Sequence, residues 1–230
     1  MLANFFVPIN DDGWRFVGIF AAIAFVFALT GQAWLFWPMM GLTAWCIYFF
    51  RDPPRGVPQE DGLLVAPADG LVQMIVPAVP PAELGLGSEA LTRVSIFLSV
   101  FDVHINRVPC AGTIDVVAYR PGSFLNAAAD KASDENERMA ISLRRDDGRM
   151  IGVVQIAGWI ARRIVCRIKP GQSVAVGERF GHIRFGSRTD LYLPAGARLL
   201  VSPGQRMIGG ETVMAELDPA TVTPRMAIEF

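Results

Sequence analysis

The chain is poor in the residues that build metal centres and carry lysine-bound groups. Its 230 residues include two histidines, His104 and His182, three cysteines, Cys46, Cys110 and Cys166, and two lysines, Lys131 and Lys169. The cysteines have neither metal-type nor redox-type spacing, and with so few histidines they assemble no metal site. An odd, scattered set fits unpaired thiols in a reducing compartment. The formal net charge is -1, so the overall balance points to no nucleic-acid partner. Neither lysine sits in a hairpin-tip motif, which argues against a lipoyl or biotin carrier. A Gly-x-Ser-x-Gly elbow is also missing, which argues against an α/β-hydrolase.

What the chain has in excess is apolar sequence. Hydrophobic residues make up 52% and the mean hydropathy is +0.36. The excess is concentrated between Phe16 and Phe50. The run 16–29 is uncharged, and after Thr30-Gly31-Gln32 a second uncharged run covers 33–50. The second is about long enough to span a bilayer as a helix, and the first is short. The expectation is a tight helical hairpin or a shallow re-entrant pair, with Trp34, Trp37 and Trp45 near the interface. The start Met1-Leu2-Ala3-Asn4-Phe5-Phe6 lacks a basic n-region, which argues against a cleaved signal peptide. Arg15 precedes the first run, Arg51 and Arg55 follow the second, and the turn is uncharged. That pattern predicts both ends in the cytoplasm and the body of the chain on the inner face of the cell membrane.

Pro53, Pro54 and Pro58 predict a stiff linker. The domain organisation expected is therefore a membrane-associated hairpin over 1–50, a linker over 51–62 and a main domain over 63–230. Beyond the linker, short β-type runs fall at 71–76, 94–100, 112–119, 140–143, 150–156, 161–168, 173–176, 183–185, 190–193, 198–201 and 212–216. Asp146-Asp147-Gly148, Lys169-Pro170-Gly171 and Pro203-Gly204 punctuate them as turns. Many short strands at close spacing predict a mainly β fold, a β-rich α+β barrel or sandwich-like body behind an apolar helical anchor. The segment 126–138 reads as a helical turn or a loop.

Three residue types suited to nucleophilic chemistry occur in turn or strand-end settings. Ser187 follows Gly186, whose freedom from a side chain permits strained backbone. A serine hydroxyl there can attack the preceding carbonyl, given a base and a group that orients the base. His104, at the end of an apolar stretch, is the candidate base, and Asp69 in Pro67-Ala68-Asp69-Gly70 is a candidate orienter. Each has a plain structural alternative: a turn serine, a packed histidine, a turn-stabilising aspartate.

Taken in order, Pro67-Ala68-Asp69-Gly70, His104 with Pro109-Cys110-Ala111-Gly112, Asn136-Glu137-Arg138 and Gly186-Ser187 resemble the phosphatidylserine decarboxylase family. The resemblance runs from about Arg51 to the end and is closest to the compact, short-chain form. It implies self-cleavage between Gly186 and Ser187 and conversion of Ser187 to a covalent pyruvoyl cofactor, with Asp69, His104 and Ser187 as the self-cleavage triad. It also implies two fragments that stay associated, a phospholipid substrate at a membrane, and a homodimer. Longer bacterial members carry His-x-x-His before the proline, whereas here the second position is Arg107. Aligned on Pro109, His104 matches the first of these histidines, while the second, where Arg107 stands here, is an alternative counterpart of the family's triad base. On this resemblance one histidine serves both self-cleavage and protonation.

The implied reaction is decarboxylation of phosphatidylserine to phosphatidylethanolamine through a Schiff base. Asn136, Glu137 and Arg138 are placed near the site by the resemblance, and Arg107 or Arg138 suits a substrate phosphate or carboxylate. His182 reads as incidental, on a strand near the cut. Phe124-Leu125 suits lipid contact or core packing, and Arg144-Arg145 and Arg162-Arg163 suit anionic lipid or an ordinary charged surface. Two rivals from other classes stay open: a membrane-tethered serine hydrolase using Ser187, His104 and Asp69 in an intact chain, and a non-enzymatic binding module on a β-rich scaffold.

Overall fold

The computed structural model describes residues 7–123, 135–158, 163–183 and 187–218. The chain divides into two units, one formed by Met1–Pro54 with Val100–His104, the other by Arg55–Ser99 with Ile105–Phe230.

The first unit is built on two helices, α1 (Gly13–Leu29) and α2 (Ala33–Phe49). Asn10 starts α1: its side-chain oxygen accepts the Asp12 N–H at 3.1 Å and its carbonyl accepts the Gly13 N–H at 2.8 Å. The turn between the helices uses Gly31 at φ 69°, a conformation that costs glycine little. Below the helices, Ile9 bridges to Arg51, and Asn10 N–H donates to the Phe50 carbonyl at 2.8 Å. Gly13 permits this closure, because a Cβ there would lie 2.5 Å from that of Phe50. Each helix has 17 residues, about 25 Å of rise against a hydrocarbon core of about 30 Å. Among the described residues no helix is long and apolar enough to cross a membrane. The expectation that 33–50 is about long enough to span as a helix is therefore not met. Both helices nonetheless expose apolar side chains widely, among them Trp14, Phe25, Leu29, Trp34 and Trp37.

The second unit is mainly β. Its principal sheet has eight strands in the order β13 (Arg206–Met207), β2 (Gly70–Ala78), β3 (Leu91–Leu98), β11 (Ser187–Leu193), β7 (Met150–Ala157), β6 (Arg138–Arg144), β5 (Gly112–Arg120) and β9 (Ser173–Val174). Every pairing in it is antiparallel. Two three-stranded sheets accompany it. One is β1 (Leu63–Val65), β14 (Val213–Glu216) and β12 (Arg198–Leu199); the other is β4 (Ile105–Arg107), β10 (Arg179–Ile183) and β8 (Ile164–Cys166). The large sheet has β13 and β9 at its two ends and does not close on itself among the described residues.

Strand β11 sits in the middle of the large sheet, and all seven of its residues are buried. Alternation divides them. Leu191 and Leu193 join Val72, Val94, Ile96 and Val153 in the main core, while Tyr192 joins Leu84, Ala140, Val154 and Ile156 on the opposite face. A strand buried on both faces explains why the sequence shows no clean period there.

Candidate active site

The Pro67-Ala68-Asp69-Gly70 segment is fixed by its neighbours' backbone. Pro67 carbonyl accepts the Arg107 N–H at 2.9 Å and the Asn106 side-chain amide at 3.3 Å. Ala66 exchanges backbone bonds with Thr212 and Gly210, each 2.8 Å. Gly70 then enters β2 at φ 146°, where a Cβ would lie 2.2 Å from the Phe97 carbonyl oxygen. Only glycine fits there, and this pins Asp69 at the head of the strand. The Asp69 carboxylate takes the Gly209 N–H at 2.8 Å and the Arg55 guanidinium at 2.7 Å.

Ser187 opens β11, paired with Leu98 of β3 and Ala157 of β7. It is fully buried, and its Oγ has no hydrogen-bond partner among the described residues. A buried hydroxyl left without a partner costs stability. Gly186 lies outside the described residues. On the same face of β11, Thr189 Oγ1 accepts the Asn106 amide at 3.1 Å, and Asn106 Oδ1 accepts the Gln155 amide at 2.7 Å. Gln155 stands opposite Thr189 in register. A buried pair of amides therefore lies on the face that carries the Ser187 hydroxyl.

The Asn136-Glu137-Arg138 segment is tied to Ala157, the cross-strand neighbour of Ser187. Asn136 donates its side-chain amide to the Ala157 carbonyl at 2.8 Å, and the Ala157 N–H donates to the Glu137 carbonyl at 2.9 Å. Arg138 is buried and points to the other face, where it pairs with Glu83 at 2.6 Å. Burial works against ionisation of Glu83, but a bond from its own backbone N–H and the Arg138 guanidinium hold its carboxyl below the usual range. Arg107 is buried too, and donates to the Gly177 carbonyl at 3.1 Å. Both guanidiniums assigned to substrate groups thus have bonds inside the protein.

His104 is the last residue of the first unit. It is buried, its ring lies 4.5 Å from that of Phe49, and Nδ1 lies 3.0 Å from the Asp102 carbonyl. A backbone carbonyl at Nδ1 favours the tautomer with hydrogen on that nitrogen, leaving Nε2 as the acceptor. His182 is buried on β10, in register with Ile105. Phe124, Leu125 and Arg162 lie outside the described residues. Arg144 is half exposed and pairs with Asp115 at 3.1 Å, while Arg145 ties Asp61 to Asp147.

Three features here have no counterpart in the expectations: the Asn106–Gln155 amide pair, the Arg55 contact to Asp69, and a buried pair between Arg188 and Asp190 on β11. Only the last carried a local signal, opposite charges at i and i+2 in a strand.

A family model for phosphatidylserine decarboxylase matches residues 42–215. The phosphatidylserine decarboxylase proenzyme of Cereibacter sphaeroides is 57% identical over 217 residues, covering 94% of this chain and 93% of that protein. The proenzyme of the same name from Ruegeria pomeroyi is 55% identical, covering 94% and 99%, and that from Paramagnetospirillum magneticum is 56% identical, covering 92% and 88%. The chain belongs to the phosphatidylserine decarboxylase family.

Proposed function

We propose that this protein is a proenzyme that cuts itself before Ser187 and then decarboxylates phosphatidylserine to phosphatidylethanolamine and carbon dioxide. The observation that carries this reading is Ser187 itself, a buried hydroxyl without a partner among the described residues, at the head of a central strand in a chain of this family. Ser187 Oγ attacks the Gly186 carbonyl carbon and its proton passes to His104, with Asp69 as the supporting carboxylate. The Gly186–Ser187 C–N bond breaks, the freed amine takes a proton, and an ester joins the two pieces. Removal of the residue-187 α-proton then expels the Gly186 carboxylate and leaves a dehydroalanine. Its imine tautomer takes up water, releases ammonia and leaves the pyruvoyl carbonyl.

When present, that carbonyl condenses with the substrate amine and draws off the electrons of the departing carboxylate. The chain's own residues bind, orient and protonate. His104 is the acid that protonates the substrate carbon. Burial of Ser187 keeps bulk water from the reacting carbon, and the Asn106–Gln155 pair fixes one wall. The two fragments stay together because β11 of the small one is paired on both sides by strands of the large one. A homodimer is part of the same reading.

The location proposed is the cytoplasmic face of the cell membrane. The uncharged tip between α1 and α2 supports it, with Leu29 72% and Trp34 74% exposed. Helices too short to span suit a hairpin that dips into one leaflet.

The test is intact mass together with activity on vesicles containing phosphatidylserine. Wild type is expected as two fragments, the smaller carrying a pyruvoyl end, with release of carbon dioxide. Ser187→Ala is expected as one inactive chain. A cut Ser187→Ala chain sinks the assignment, and an intact wild-type chain that labels with serine-directed phosphonates favours the hydrolase.

A further inference from the structure

Arg55 entered the sequence reading only as a positive flank of the apolar run. Its position in the structure gives it another task. One terminal nitrogen of its guanidinium lies 2.9 Å from Oδ1 and 2.7 Å from Oδ2 of Asp69. The two side chains are 11% and 15% exposed, so water screens the pair little. Arg55 Nε is buried with no partner among the described residues, so the guanidinium sits there at a cost that its contact with the carboxylate must offset.

The segment carrying Arg55 is docked. Gly56 N–H donates to Glu211 Oε1 at 3.0 Å. Val57 fills a space made by two glycines: a Cβ on Gly177 would lie 2.5 Å from it and one on Gly210 3.7 Å. The 209–211 loop that receives this segment also gives Asp69 its second donor, from Gly209, and holds the Ala66 carbonyl through Gly210. One loop therefore fixes both the arginine and the aspartate.

We propose that Arg55 is a positioning residue for self-cleavage, holding the Asp69 carboxylate in place for its part in the cut. The inference rests on the reading of Asp69 as a member of the self-cleavage machinery. The Arg55 guanidinium and the Gly209 N–H together leave the carboxylate little freedom to rotate. A carboxylate held in place can orient a base and support it as it becomes cationic.

The experiment follows processing of the full-length chain, made by cell-free translation with phospholipid vesicles, pulse-labelled, and chased for the fragment that begins at residue 187. Arg55→Ala is expected to cut about 10- to 100-fold more slowly, the usual effect of losing an orienting partner. Arg55→Lys should fall between Arg55→Ala and wild type. Added methylguanidinium should speed Arg55→Ala and leave Asp69→Asn unchanged. The fraction of Arg55→Ala that does mature should decarboxylate at the wild-type rate per pyruvoyl group, since the task of Asp69 ends with the cut.

Wild-type processing of Arg55→Ala beside a stalled Asp69→Asn overturns the proposal. So does slow processing that neither lysine nor methylguanidinium restores and that comes with an equal loss of turnover per pyruvoyl group, for that is general structural damage. Wild-type processing of Asp69→Asn overturns the reading of Asp69 itself.

Discussion

Arg188 and Asp190 form a fully buried ion pair immediately after Ser187 on β11. Arg188 Nε and Nη2 each lie 2.7 Å from a separate Asp190 carboxylate oxygen, and neither side chain is more than 1% exposed. They project from the face of β11 opposite to Ser187. Arg93 of β3 adds a second guanidinium 3.9 Å from Asp190. Beside the group, burial and then the Asp190 charge push the Tyr192 hydroxyl up from its ordinary value.

Removing one member of such a pair leaves an uncompensated charge in the interior. Asp190→Asn in the uncut Ser187→Ala background should lose about 3–5 kcal/mol of stability, and Arg188→Met a similar amount. The double change Arg188→Met with Asp190→Leu should recover only part of that loss, because it no longer strands Arg188 but still takes the carboxylate from the buried Arg93. Urea unfolding of the four chains measures this. Single variants within 1 kcal/mol of the parent would mean that water reaches the pair.

Much of the β body was legible because its strands are short and bounded by turn residues. The runs expected at 71–76, 94–100, 112–119, 140–143 and 150–156 fall within or nearly coincide with β2, β3, β5, β6 and β7. Of the strands that escaped, β1, β4 and β13 have two or three residues, too few to show a period, while β10 has five and was met by the expected run 183–185 only at Ile183. The order β3-β11-β7 was not legible, since it depends on which distant strands meet. The site was legible as a set of separate motifs. Arg55 and Gln155 were hidden because their roles come from contacts 14 and 49 residues away along the chain, and local sequence carries no mark of that. The helices were read correctly in position and too generously in reach: α2 ends at Phe49 after 17 residues.

Gln155 is fully buried and is the donor to Asn106 Oδ1. Gln155→Leu keeps much of the volume and removes that donor, leaving a buried acceptor without its bond. The expected cost is about 1–3 kcal/mol in the uncut background. Self-cleavage in the Ser187-containing chain should slow with it, because Asn106 also holds Thr189, two residues from Ser187. Urea unfolding and the rate of fragment appearance check the two effects separately. Stability lost without any change in the rate would separate the amide pair from the chemistry.

Gly70 and Gly85 make a matched comparison. Both have positive φ, 146° and 68°, but a Cβ on Gly70 meets the Phe97 carbonyl at 2.2 Å while one on Gly85 meets nothing within 4 Å. Gly85→Ala should show the backbone cost alone, about 1 kcal/mol. Gly70→Ala should cost more, since β2 and β3 must part where Asp69 is held, and its processing should stop at temperatures where Gly85→Ala still cuts. Thermal unfolding and a gel time course compare them. Equal behaviour of the two would mean that the head of β2 yields without moving Asp69.

Cys110 gives a test against pH. Burial pushes its thiol up to about 11 from an ordinary value of 9.0. In the folded chain the thiol therefore stays protonated where the unfolded chain has lost the proton. A raised folded value means that the contribution is intact below pH 9 and is lost as pH climbs from 9 towards 11. Two units correspond to a ceiling of about 3 kcal/mol. The difference in stability between the Ser187→Ala chain and the same chain carrying Cys110→Ala should hold steady from pH 7 to 9 and then shift against the cysteine chain by up to that amount. At pH 8 the same thiol should react with a disulfide reagent far more slowly in the folded chain than after unfolding, because both the protonated state and burial withhold the thiolate. A flat difference through pH 11 with rapid labelling at pH 8 would mean that water reaches Cys110 and that the core beneath Val65 and Pro109 opens readily.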